Sequence, residues 1–162
     1  MVKHLILLFI FFSLLLGCET TSITKEDKFN NDKIYIDVVQ KKINLDGIIA
    51  GPNSKKVKDS VQKWLENNLK TSGYDGELGI QLISINTSEK IIDDSVRIDM
   101  SLELNFKITN QALSKKKSKL IKVNEFGELT GSFSLNEKDI EIENIIKRLL
   151  QRLSIVVNKE II

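Results

Sequence analysis

Reaction chemistry has few starting points in this chain of 162 residues, which holds one cysteine, Cys18, and one histidine, His4. A lone thiol argues against a disulfide framework, which needs cysteines in pairs. Ser-His and Cys-His nucleophile pairs, and zinc sites built on the same side chains, need an imidazole or a thiolate. Whether the chain has access to them turns on the fate of two residues near its start. The other candidates are carboxylate pairs and a Ser-Lys pair, and no spacing singles one of them out. The 8 glycines are scattered, and no strand leads into a GxGxxG or GxxxxGK[ST] phosphate loop.

His4 lies in a leader, and Cys18 stands just after it. Lys3 and His4 form a short charged start, Leu5 to Leu16 run apolar with only Ser13 between, and Gly17 precedes Cys18. This is the layout of a secretory signal peptide, and the run falls short of the roughly 20 apolar residues that cross a bilayer. A plain signal peptide or an uncleaved anchor is the other way to read it. Leu15, Leu16, Gly17 and Cys18 resemble the lipobox of bacterial lipoproteins. That resemblance implies acylation of the Cys18 thiol and cleavage just before it, so that Cys18 opens the mature chain. It also implies a destination: an Asp after the cysteine retains a lipoprotein at the inner membrane, and Glu19 is not Asp, which points to the periplasmic face of the outer membrane. Each buried methylene of an acyl chain contributes about 0.8 kcal/mol, so two or three chains hold a protein firmly to a leaflet.

Residues 19 to 32 carry only Ile23 and Phe29 as apolar groups and read as a tether. The chain thus divides into a leader at 1–17, a lipidated Cys18 with its tether at 18–32, and one domain at 33–162. Removing the leader takes Lys3 and His4 with it. From 24 basic and 22 acidic side chains, 145 residues with 23 basic and 22 acidic remain. Such a balance argues against nucleic acid as a partner, because phosphate backbones require a clear positive excess. The mature domain has no imidazole and no free thiol, so no metal site and no cofactor is expected.

The elements that would position any site follow from periodicity. Ile34, Ile36 and Val38 alternate in a strand over 33–39, and Ile43 to Ala50 either continue it or form a short partner. Val57, Val61, Trp64, Leu65 and Leu69 mark a helix stripe, with Asn53 or Ser54 as its cap and Gly73 as its stop. Trp64 reads as core. Lys55, Lys56 and Lys58 oppose the dipole of that helix; they serve either as a solvated first turn or as a contact for lipid phosphates or an acidic partner. Leu78, Ile80 and Leu82 share a face before Ile83 and Ile85 change phase, which predicts a bulge or a strand buried on both sides. From Val96 to Ile108 apolar and polar residues alternate without error, a strand long enough for part of it to overrun its neighbours. The lysines of Ser114 to Lys119 read as a basic hairpin tip, and Lys115, Lys116, Lys117 and Lys119 are the candidate contacts for a partner or an anionic lipid. Ser134 and Glu137 form a capping box before a stripe of Ile142, Ile145, Ile146, Leu149, Leu153, Val156 and Val157.

The order strand, helix, three strands, helix predicts an α+β two-layer sandwich: a mainly antiparallel four-stranded sheet with both helices on one face. Lipobox, polar tether and this element order together resemble small envelope lipoproteins of Gram-negative bacteria. The topology is similar to the lipoprotein that assists lipopolysaccharide assembly and to the auxiliary lipoprotein of lipid-transporting ABC systems. Trp64 and Leu65, Gly73 and Gly76, and Ser134, Leu135 and Glu137 resemble uncharacterised alphaproteobacterial lipoproteins most. The resemblance implies a non-enzymatic accessory lipoprotein that joins the membrane through its lipid anchor and binds an envelope assembly or transport protein. The alternative is a lipid or lipopolysaccharide carrier with a pocket between helices and sheet, and a lower one is a weak hydrolase with an acid beside a Ser or Lys in a cleft. Labelled palmitate is expected to enter the native chain and not the Cys18→Ser chain; equal labelling of the two would contradict the lipobox reading.

Overall fold

The computed structural model of the chain describes residues 33–110 and 115–162. The leader, Cys18, the tether and Ser114 lie outside the described residues. In chain order the elements are β1 (Ile34–Ile36), β2 (Gln40–Asn44), β3 (Ile48–Ala50), α1 (Ser54–Asn68), β4 (Leu69–Thr71), β5 (Glu77–Ile92), β6 (Ser95–Asn110), β7 (Lys115–Thr130) and α2 (Leu135–Ile161). The class is α+β, as the sequence predicts, with a main sheet of five strands where four were expected. Its strand order is β2-β5-β6-β7, and β3 also pairs with β5.

β6 keeps the alternation that its sequence prescribes. Ile98, Met100, Leu102, Leu104 and Phe106 are buried, while Asp99, Ser101, Glu103 and Asn105 occupy the opposite face. The expected overrun is absent. β5, β6 and β7 have 16 residues each, and β6 is paired from Ser95 to Thr109 on one side and from Ser95 to Asn110 on the other. The difference arises because β5 continues through Thr87 to Ile92, well past the apolar run that marks its start.

The phase change in β5 is a bulge. The β5–β6 register shifts between Leu82 and Ser84, so Leu82 opposite Leu104 and Ile85 opposite Leu102 both point into the core. Across from the bulge the neighbouring strand also breaks. β2 runs parallel to β5 over Glu77 to Gln81, β3 over Ser84 to Asn86, and Leu45 to Gly47 form the step between them. Asn44 Oδ1 accepts from the Asp46 amide at 2.7 Å in a local side-chain turn. Gly47 is required at this step, because a Cβ there would collide with the Leu82 carbonyl. The Ile43 to Ala50 segment is therefore two short strands fitted to one irregularity.

The 33–39 strand departs from expectation. Ile34, Ile36 and Val38 are buried as predicted, but β1 pairs with β4 in a separate parallel ribbon, with Ile34 opposite Leu69 and Ile36 opposite Thr71, and does not join the main sheet. A tight turn diverts the chain: the Val38 amide donates to the Ile36 carbonyl at 2.8 Å, and Ser72 and Gly73 amides hold the Ile36 and Val38 carbonyls. Gly73 thus packs against Asp37 and Val38 and does not stop the helix, which ends at Asn68 and passes straight into β4.

The two helices cover the apolar side of the sheet. α1 buries Val57, Val61, Trp64 and Leu65, and α2 buries Ile142, Ile145, Ile146, Leu149, Leu153, Val157 and Ile161. Close approach of α2 requires Gly127 on β7, since a Cβ there would lie 2.7 Å from Ile145 Cδ1 and strike the Glu141 carboxylate. The α2 capping box is formed: Ser134 Oγ accepts from the Glu137 amide at 3.2 Å, and Glu137 Oε2 accepts from the Ser134 amide at 2.7 Å. The Ser134 amide, and after it the Ser134 hydroxyl at 2.9 Å, donate to the Glu137 carboxylate and hold it below its ordinary pKa. The α1 start is different. Asn53 is left-handed at φ 63° and makes no capping bond, its side-chain Nδ2 instead donating to Glu89 Oε1 at 3.3 Å, and Ser54 Oγ donates to the Gly51 carbonyl. Glu89 also accepts from Lys138 Nζ of α2 at 2.6 Å, so one carboxylate on β5 ties the first turns of both helices.

Leu102→Ala, at a side chain with no exposed surface, is expected to cost about 3 kcal/mol, and Ser134→Ala about 1 kcal/mol. Urea denaturation checks both; a Leu102 variant as stable as the native protein would contradict the packing described.

Candidate interaction surfaces

The lysines proposed from sequence as a hairpin tip are strand residues. Lys115 pairs with Asn110, Lys116 with Thr109, Lys117 with Ile108 and Lys119 with Phe106, at the start of β7. Strand alternation puts Lys117 and Lys119 on the helix side, beyond the point where α2 ends. Lys119 Nζ meets Glu160 Oε2 at 2.6 Å, and Lys117 Nζ donates to the Ile161 carbonyl at 3.4 Å. Cations at a helix C-terminus offset its negative dipole end, so these two lysines hold α2 in place. Lys116 remains exposed. Lysines gathered at a strand start look like a tip in sequence because only the pairing partner distinguishes the two.

Another lysine does comparable work at α1, and no sequence signal marks it. Lys41 on β2 donates to the Leu65 carbonyl at 2.8 Å and the Leu69 carbonyl at 2.7 Å, satisfying the end of the helix. Burial pushes its ammonium pKa down, Lys70 adds to the effect and Glu66 opposes it.

β7 is the terminal strand of the main sheet, and among the described residues no strand pairs with its outer side. Its solvent face presents Leu120 and Phe126, 57% and 51% exposed. Arg97 lies over the Phe126 ring, 4.1 Å from its centroid, and its Nε donates to Asp99 Oδ1 at 2.9 Å. On the other face Glu125 is nearly buried and receives Arg148 and Arg152 from α2; Arg148 also bonds Glu141 and the Phe126 carbonyl, each at 3.0 Å. This network clamps α2 to β7, and Arg148 takes up the Phe126 carbonyl of that strand.

The cleft expected of a hydrolase has a counterpart in composition only. Lys56, Ser60 and Glu143 line one groove between the helices. Ser60 Oγ donates to the Lys56 carbonyl at 2.9 Å, and the Lys56 ammonium pairs with Glu143 at 3.0 Å. The hydroxyl is therefore turned to backbone and not to the amine that would have to take its proton. Among the described residues, no group of three or more His, Cys, Asp and Glu side chains is placed to hold a metal ion, and no helix is long and apolar enough to cross a membrane. The interface between helices and sheet is filled by side chains such as Val57, Val61, Leu65, Leu78, Ile145 and Leu149, none with exposed surface.

No protein-family model and no curated protein matches the chain. Among solved structures, it is similar to a minor lipoprotein from Acinetobacter baumannii, with 9% identity over 76% of this chain and 91% of that one and a TM-score of 0.42. A Helicobacter pylori protein described as a neuraminyllactose-binding hemagglutinin homolog gives 14%, 79%, 88% and 0.44 in the same order. A Caulobacter crescentus CB15 protein described as a lipoprotein gives 8%, 73%, 85% and 0.39. Likeness at this level assigns neither family nor function.

Two outcomes follow for the helix ends. Lys41→Met leaves two carbonyls without their donor and is expected to cost about 2 kcal/mol, measured by urea denaturation. Lys119 holds the Glu160 carboxyl below its ordinary value of 4.5, chiefly through their hydrogen bond. A lowered carboxylate pKa in the folded state contributes stability above the unfolded value and loses it as pH falls through the folded one. Glu160→Gln is therefore expected to flatten the loss of stability below 4.5, and an unchanged acid limb would contradict the pairing.

Proposed function

We propose that the chain is a non-enzymatic accessory lipoprotein, anchored by acylated Cys18 to the periplasmic face of the outer membrane, that binds an envelope protein by strand addition along β7. Leu15, Leu16, Gly17 and Cys18 support the anchor. The absence of histidine and cysteine from residues 19–162 supports a binding role over nucleophilic catalysis. The observation that carries the partner site is the 16-residue edge of β7 with no strand on its outer side among the described residues.

An open edge offers a row of backbone donors and acceptors, and a partner strand gains affinity from them while side-chain positions set specificity. On the solvent face of β7, Lys116 is exposed and Lys122 pairs with Glu103, so the edge disfavours a lysine-rich strand at Lys116 and admits a neutral or acidic one there. Leu120 and Phe126 supply apolar contacts on the exposed face. The packed helix–sheet interface favours this reading over a lipid carried between the layers.

A photo-crosslinking residue at Leu120 or Phe126, introduced in cells, is expected to yield one discrete adduct with an envelope protein. The same residue at Tyr74, fully exposed on the β4–β5 turn, is expected to yield none. Adducts of equal strength at all three positions, or at none, would overturn the assignment of β7.

A further inference from the structure

A second surface stands apart from β7. Two grooves, of 420 and 590 Å³, run between α1 and α2 and meet at Ser60 and Leu150, which line both. Trp64 and Leu150 give the larger one an apolar floor, and Lys33, Lys63 and Lys70 line its walls with no acidic residue among them. Lys147 extends the positive rim into the smaller groove, where the one acid, Glu143, is paired with Lys56. Lys33, Lys63 and Lys147 are exposed, and their ammonium groups make no hydrogen bond or ion pair with any described residue. The β7 lysines differ, since Lys117 and Lys119 are occupied at the end of α2.

The place of this groove in the chain decides what it meets. Lys33 both lines it and begins the described domain, so the segment from Cys18 arrives at the groove itself. The 14 residues between Cys18 and Lys33 span about 20 Å at coil dimensions and about 50 Å drawn straight. Whatever leaflet holds Cys18 is then always within reach of these lysines. Unpaired ammonium groups beside a half-apolar floor suit phosphate headgroups, with the lysine stems lying along the apolar surface and the charges at headgroup level.

We propose that the α1–α2 groove is the membrane-facing surface of the domain and binds the phosphate headgroups of an anionic leaflet through Lys33, Lys63 and Lys147, while Lys70, whose ammonium donates to the Glu66 carbonyl at 3.0 Å, lines the wall. Acyl chains at Cys18 keep the domain within reach of the membrane, and the groove fixes the orientation. The sheet, on the far side of the helices, is thereby turned away from the lipid. The membrane side of this inference rests on the anchor proposed above, whereas headgroup binding by the groove does not.

The test uses residues 18–162 with Cys18→Ser, which retain every core side chain from Ile34 to Ile161 and carry no acyl chain. Vesicles of phosphatidylcholine with phosphatidylglycerol are expected to carry this protein upward in a flotation gradient, and raised salt to release it. Vesicles of phosphatidylcholine alone are expected to leave it behind. Lys63→Glu with Lys147→Glu, both at exposed unpaired positions, is expected to weaken binding about tenfold or more with an unchanged thermal melt. Lys116→Glu is expected to bind as the parent does. Absence of flotation with the anionic vesicles, equal flotation with both lipids, or a loss that follows Lys116 and not the groove pair would each overturn the proposal. Palmitate labelling of the native chain reports on the anchor separately, so failure of one is distinguishable from failure of the other.

Discussion

The apolar side chains of β6 leave the strand on one face only, and the polar ones leave it on the other. A sheet built around such a strand is stable only if one face is covered and the other stays wet. α1 and α2 supply the cover, each with a single stripe of buried residues. From this one constraint follow the features that look local: the β5 bulge that returns Ile85 to the core side, the step at Gly47 that fits the bulge, and Gly127, whose missing side chain lets α2 close on β7.

Covering one face leaves two other kinds of surface unfilled. The main sheet ends at β7, and among the described residues no strand pairs with its outer side. The helices, side by side, leave a groove whose rim is lysine. Polar contacts around both surfaces are spent on holding the helices, at Glu89, at Glu125 with Arg148 and Arg152, and at Lys41 and Lys117 beneath the helix ends.

The parts of this fold legible in the sequence are those set by local periodicity. Alternation from Val96 to Ile108, the phase slip at Ile83, the stripes of both helices and the Ser134–Glu137 box can all be read from neighbours in the chain. What escaped depends on partners far away. β1 looks like a sheet strand until the Val38 turn sends it to Leu69–Thr71. Lys115 to Lys119 look like a tip until Thr109 and Asn110 are seen opposite them. Lys41 caps α1 only because the crossover brings the end of that helix back beside β2, and the groove surface exists only where Lys33, Lys63 and Lys147 are brought together from three distant parts of the chain.

Amide hydrogen exchange on the purified domain, resolved residue by residue, tests the arrangement most directly. In a central strand every amide is bonded to one neighbour or the other, whereas in a free edge strand only every second amide is bonded. The account predicts protection at consecutive residues along β6 and an alternation of slow and fast amides along β7. Uniform protection along β7 in the isolated protein would contradict it, because its outer edge would then already be filled.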